Sequence, residues 1–144
     1  MLTSQHKHFL AGRLKAACRQ QPELKALQRL LLRLGGEFLV APPKPDTDLS
    51  AVLDCGFVMA GPITLKLMER NGCHQNVAAL WGNKKTSLVG IGTGYTLSED
   101  GLWRQHSWGV LREGILETTI ERLKYFGVIL QGRQAEKFVR TNQP

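Results

Sequence analysis

RNGCHQNVAALW, Arg70 to Trp81, sets a cysteine and a histidine side by side directly after a glycine. Asn71-Gly72 is a helix breaker that permits a left-handed turn, and the spacing of Val77, Ala78 and Trp81 predicts a new helix starting at Cys73 with those residues on its inner side. A helix start carries unpaired N–H groups and the positive end of the helix dipole, and both favour negative charge. The thiolate is the reactive form of cysteine, with a free pKa of about 8.5. Cys73 is therefore either a small buried hydrophobe or a nucleophile aimed out of a helix N-terminus, and the position of a base decides between the two.

The histidines are His6, His8, His74 and His106. Neighbours on a helix diverge by about 100°, which places His74 poorly to take the Cys73 proton. His106 lies in LWRQHSWGVL, a predicted strand that would pack against the cysteine helix. A histidine base needs a third group to fix its tautomer. With a four-residue turn at Leu111–Gly114, Val110 pairs with Ile115 and Trp108 with Glu117. Glu117 then lies on the His106 face one diagonal step away, within reach of a long side chain. A tighter turn would leave the role to Glu121 or a backbone carbonyl. A metal site built on Cys73, His74 and His106 lacks a fourth ligand, although catalytic zinc needs only three. No metal and no cofactor is expected.

Outward from this centre, residues 4–19 form a basic helix. Gln21-Pro22 opens a second one with Leu24, Leu27, Leu31 and Leu34 on one face, stopped at Gly35-Gly36. Glu37 to Val40 is a short strand. Three prolines make residues 41–48 a loop. Asp48 or Ser50 caps a short helix to Leu53, and Phe57 to Ala60 is a short apolar run. A helix is predicted from Gly61-Pro62 to about Arg70. Strands are predicted over 87–97, 102–111, 115–118 and 126–130, a capping box at Thr118 to Glu121, and a last helix over 134–139. Gly90, Gly92 and Gly94 stand inside a strand and mark bulges or close packing, not a nucleotide loop. Helices, then the cysteine helix, then an antiparallel meander give an α+β order. At 144 residues the chain fits one domain, 1–144, with a basic helical part at 1–36 and a core at 50–131.

Of the 19 Lys and Arg, seven fall in residues 1–36 against Glu23 alone, so nearly all of the net charge of +7 belongs to one end. That end is a solvated helix face or a docking surface for an acidic partner, nucleic acid or an anionic membrane. No run reaches the roughly 18 apolar residues of a membrane span. Three cysteines at irregular spacing argue against a disulfide framework and for a reducing, cytoplasmic setting. Cys18 and Cys55 read as buried small hydrophobes. Trp81, Trp103 and Trp108 are either core aromatics or the lining of a groove beside the site.

Taken in order, RNGCHQNVAALW, HSWGV (106–110) and ILETT (115–119) resemble the nucleophile helix, histidine strand and acidic strand of transglutaminase-like and papain-like cysteine enzymes. The resemblance covers about a third of the chain. It departs in having glutamate for the usual aspartate and a short histidine-to-acid connection. It implies a papain-like or transglutaminase-like fold, with N-terminal helices and a nucleophile helix packed on an antiparallel sheet. It implies a Cys73–His106–Glu117 triad in a thiol-dependent acyl-transfer enzyme (peptidase, amidase, deamidase or transglutaminase), acting on a protein or peptide substrate. Asn71, Gln75 and Trp108 are the candidates for oxyanion or substrate contacts. The alternative is a non-catalytic adaptor whose basic N-terminal helices hold nucleic acid or an acidic protein.

Overall fold

The computed structural model describes residues 2–83 and 86–143. In chain order the elements are α1 (Ser4–Gln20), α2 (Leu24–Leu34), β1 (Phe38–Leu39), α3 (Leu49–Cys55), β2 (Phe57–Met59) and β3 (Ile63–Leu65). They continue with α4 (Cys73–Gly82), β4 (Gly90–Leu97), β5 (Leu102–Leu111), β6 (Gly114–Glu117), β7 (Lys124–Leu130) and α5 (Gly132–Thr141). The fold is mixed α+β, with the helices packed around a mostly antiparallel sheet of order β2-β7-β4-β5-β6-β3 and β1 added alongside β5.

The leucine stripe of α2 behaves as its period requires: Leu24, Leu27 and Leu31 are buried. They join Leu14 and Cys18 of α1, Val77 and Ala78 of α4, and Ile91, Tyr95 and Trp103 of the sheet in one core. The N-terminal helices therefore share their core with the sheet. Trp103 fixes the end of α2, its Nε1 donating to the Gly35 carbonyl at 2.9 Å. A second, smaller cluster on the other side joins Met59, Trp108, Ile115 and Tyr125.

Several local expectations change in the structure. Residues 61–70 are not helical: Ile63–Leu65 pairs in parallel with Ile115–Glu117, and the amides of Lys66 and Met68 extend the contact to the carbonyls of Glu117 and Thr118, both at 2.8 Å. A helix here would have no face to bury, since Thr64 through Arg70 are all exposed, and burial rather than propensity stabilises short helices. Gly72 has φ −115°, so the break before Cys73 uses no left-handed residue. Thr118 opens no helix. Asp48 precedes α3 without a side-chain cap bond. The meander holds for β4-β5-β6 only, because the chain then crosses back and β7 pairs with the far side of β4. That pairing is close at Gly94 and Gly127, where a Cβ on Gly127 would lie 2.1 Å from the Thr93 carbonyl oxygen.

The pairing around β5 positions the thiol and the imidazole. On one side β5 pairs with β4 from Trp103 to Val110. On the other, β1 takes Leu102–Trp103 and β6 takes Gly109–Leu111. Among the described residues no strand covers 104–108 on that side. The N-terminus of α4, which packs on β5, comes down at this opening.

Gly92 gives a test of the core beside the site. A Cβ there would lie 2.0 Å from Nε1 of the fully buried Trp108. Gly92→Ala is expected to cost about 2 kcal/mol or more, read as a drop in thermal midpoint of roughly 5 °C or more. Gly12, inside α1 with nothing within 4 Å, is the counterpart: Gly12→Ala is expected to add about 0.5–1 kcal/mol. Thermal unfolding of both variants checks the pair.

Candidate functional site

Cys73 is the first residue of α4 and is half-buried. The first intrahelical bond runs from the Asn76 amide to the Gly72 carbonyl, and no side chain caps the helix start. The amides of Cys73, His74 and Gln75 are thus the unpaired donors of a helix N-terminus. Asn76 holds this end in place. It is buried, and its Nδ2 donates to the Glu69 carbonyl at 2.8 Å and to Thr118 Oγ1 at 3.2 Å.

His106 lies on β5 opposite Gly94, within the stretch that has no strand on its outer side. It is 2% exposed. Its Nε2–H donates to Glu117 Oε1 at 2.8 Å and Oε2 at 3.1 Å, which leaves Nδ1 for the Cys73 thiol. The expected hairpin register is present, with Val110 opposite Ile115 and Gly109 opposite Leu116. One more step sets Glu117 diagonal to His106. Glu121 is exposed on the surface, and it is Glu117 that meets the ring.

Glu117 is completely buried and its carboxylate is fully used. Besides His106, Oε1 accepts from the Tyr125 hydroxyl at 2.8 Å, and Oε2 from the Thr119 amide and hydroxyl, both at 2.9 Å. Arg122 backs this shell, donating through one amino group to Thr119 Oγ1 at 3.1 Å. Burial pushes the Glu117 carboxyl up, but the His106 ring and its charge, then Thr119 and Tyr125, outweigh it and hold the group at about 2. Burial pushes the His106 imidazole down, yet the bonds to Cys73 and Glu117 and their negative charges raise it overall. Burial likewise pushes the Cys73 thiol up, and the bonds to His106 and His74 with their charges bring it down to about 5. The shifts run in one sense: they favour the thiolate of Cys73, the protonated ring of His106 and the ionised carboxylate of Glu117.

His74, expected to point away, lies within hydrogen-bonding reach of the Cys73 thiol as well. Its Nδ1 shares a 2.6 Å hydrogen bond with Ser107 Oγ, which in turn bonds Thr93 Oγ1 at 3.1 Å. The 100° divergence is offset by this anchor, which turns the ring back over the helix start. Sequence reasoning missed Asn76, Ser107, Thr119 and Tyr125. Asn76 left a usable trace as a polar residue on the packed face of a short helix. The others left none, since their spacing shows no pattern that local structure would require.

Asn71 and Gln75 are exposed beside the thiol. Trp108 has no exposed surface and stacks beside His106 at 6.2 Å, so it walls the ring instead of lining a groove. Trp103 is core as well, and Trp81 packs partly buried against the main cluster. Cys18 is buried, but Cys55 is exposed at the end of α3, because the outer side of that helix has no layer above it. Among the described residues no group of three or more His, Cys, Asp or Glu side chains could hold a metal ion, and no helix is long and apolar enough to cross a membrane.

The geometry fixes a pH dependence. Cys73 is expected to react with iodoacetamide with a midpoint near pH 5, and to lose reactivity below it as the thiolate is protonated. His106→Ala is expected to move the midpoint up toward the free-thiol range of about 8.5. Mass-spectrometric mapping of the label across pH, with exposed Cys55 as internal reference, checks both.

Comparison with protein-family models, with curated proteins and with solved structures finds no match to this chain.

Proposed function

We propose that this chain is a thiol-dependent acyl-transfer enzyme acting on amide or ester bonds, with a papain-like or transglutaminase-like arrangement of Cys73, His106 and Glu117. The reading is carried by the carboxylate of Glu117 bonded to Nε2 of the buried His106, whose ring lowers the pKa of the half-buried Cys73 thiol at a helix start. The order cysteine, histidine, acid along the chain and the α+β fold support it. Three free cysteines fit a reducing compartment such as the cytoplasm.

In this reading the Cys73 thiolate attacks the substrate carbonyl carbon and forms a carbon–sulfur bond. The carbonyl oxygen takes the negative charge and meets the unpaired amides of the first turn of α4, with Asn71 and Gln75 alongside. His106 passes its Nδ1 proton to the leaving amine or alcohol as that bond breaks, which leaves a thioester on Cys73. Water or an amine then attacks the thioester, gives its proton to His106, and releases the thiolate. Glu117 stays ionised throughout and keeps Nε2 protonated, so that Nδ1 carries the reacting proton. A peptide or protein is the substrate class the resemblance implies.

The test uses p-nitrophenyl acetate. A burst of nitrophenolate and an acetyl group on Cys73, found by mass spectrometry, are expected, and Cys73→Ala should abolish both. Removing the base should slow acylation by ~10²–10⁴-fold. His106→Ala alone leaves a buried carboxylate without its partner, so the double variant His106→Ala/Glu117→Gln serves as the folded control. Acetylation that simply follows exposure, with Cys55 labelled ahead of Cys73, would refute the proposal.

A further inference from the structure

The two N-terminal helices enclose a groove of about 780 Å³ that lies apart from Cys73 and its partners. Its cations are Lys15 and Arg19 on α1, and Lys25 and Arg29 on α2. Each pair is spaced i, i+4, so each projects from one face of its own helix. The groove is therefore edged by two positive rails, one per helix. Leu14, Cys18 and Phe38 give it an apolar floor, and no acidic residue lines it. None of the four cations has a carboxylate partner among the described residues. The wall from Ala11 to Arg19 is about 12 Å long at 1.5 Å per residue, room for roughly two turns of a docked helix.

We infer that this groove is a docking site for an acidic amphipathic helix of a partner protein, its apolar stripe on the floor and its Asp or Glu flanks against the two rails. Charge complementarity selects the flanks, and the apolar floor selects the stripe. Helix-in-groove recognition uses this pairing of an apolar strip with charged edges. A nucleic-acid backbone would satisfy the rails but leave the floor uncovered, because only one half-buried aromatic, Phe38, is there to stack on a base. A bilayer surface, flat on this scale, would meet the rails and not reach the recessed floor.

The probe is a fluorescent peptide of about twelve residues with leucines at three- and four-residue spacing and glutamates on both sides of that stripe. It is titrated into the full chain and followed by anisotropy. Saturable binding is expected, at least ten-fold tighter than for a scrambled peptide of identical composition. Lys15→Glu/Arg19→Glu and Lys25→Glu/Arg29→Glu should each weaken it ten-fold or more. The matched reversal on α5, Arg133→Glu/Arg140→Glu, should change it less than two-fold. Thermal unfolding confirms that each variant is folded. Equal binding of the scrambled peptide overturns the inference. So does tighter binding of a single-stranded RNA 20-mer or of phosphatidylserine vesicles, and so do groove reversals no stronger than the α5 control.

Discussion

A carboxylate with no solvent contact constrains this molecule more than any other group. An ionised carboxylate inside a protein is strongly unfavourable unless its oxygens are met by donors. Glu117 is met by four, from His106, Tyr125 and the amide and hydroxyl of Thr119. These come from β5, β7 and the turn after β6, so the requirement to satisfy one side chain ties three parts of the sheet together. It also fixes the direction of the His106 ring. With Nε2 committed to the carboxylate, the imidazole presents its other nitrogen to the thiol, and the low pKa of Cys73 depends on that orientation.

The opening beside β5 is the second constraint. A complete ladder along 104–108 would bury this edge under another strand. Because β1 and β6 cover only the two ends, a helix terminus can approach between them. The approach is secured away from the chemistry, by Asn76 to Glu69 and Thr118 on one side and by His74 to Ser107 on the other. A helix dipole alone shifts a nearby thiol modestly. The two imidazoles, held within hydrogen-bonding distance, account for most of the lowering at Cys73.

How much of this is legible in the chain depends on the range of the forces involved. The helix start at Cys73, the β5–β6 turn and the diagonal from His106 to Glu117 are legible because each is a matter of local spacing. The leucine stripe of α2 is legible for the same reason. Residues 61–70 mislead because a stretch with apolar residues and no internal breaker resembles a short helix until its partner strand is known. The partner, Ile115–Glu117, lies some 50 positions away. Thr118 and Glu121 look like a capping box for a helix, whereas no helix follows there and the neighbouring Thr119 hydroxyl serves a carboxylate two residues earlier. Helix geometry alone turns His74 away from the thiol, and Ser107 reverses that outcome. The crossing of β7 to the far side of β4 depends on the close approach of Gly94 and Gly127, which no local pattern announces.

The strap of residues 66–72 has a mechanical meaning. At its upstream end the Lys66 amide is bonded to the Glu117 carbonyl, and toward its downstream end Glu69 is bonded to Asn76 on the cysteine helix. Acid and thiol are therefore joined by one short piece of main chain, folded into a turn where the Gly72 amide meets the Glu69 carbonyl at 3.2 Å, in addition to the imidazole between them. The segment works as a second tie between the acid strand and the cysteine helix, so a change in its length would pull on both ends of the site at once.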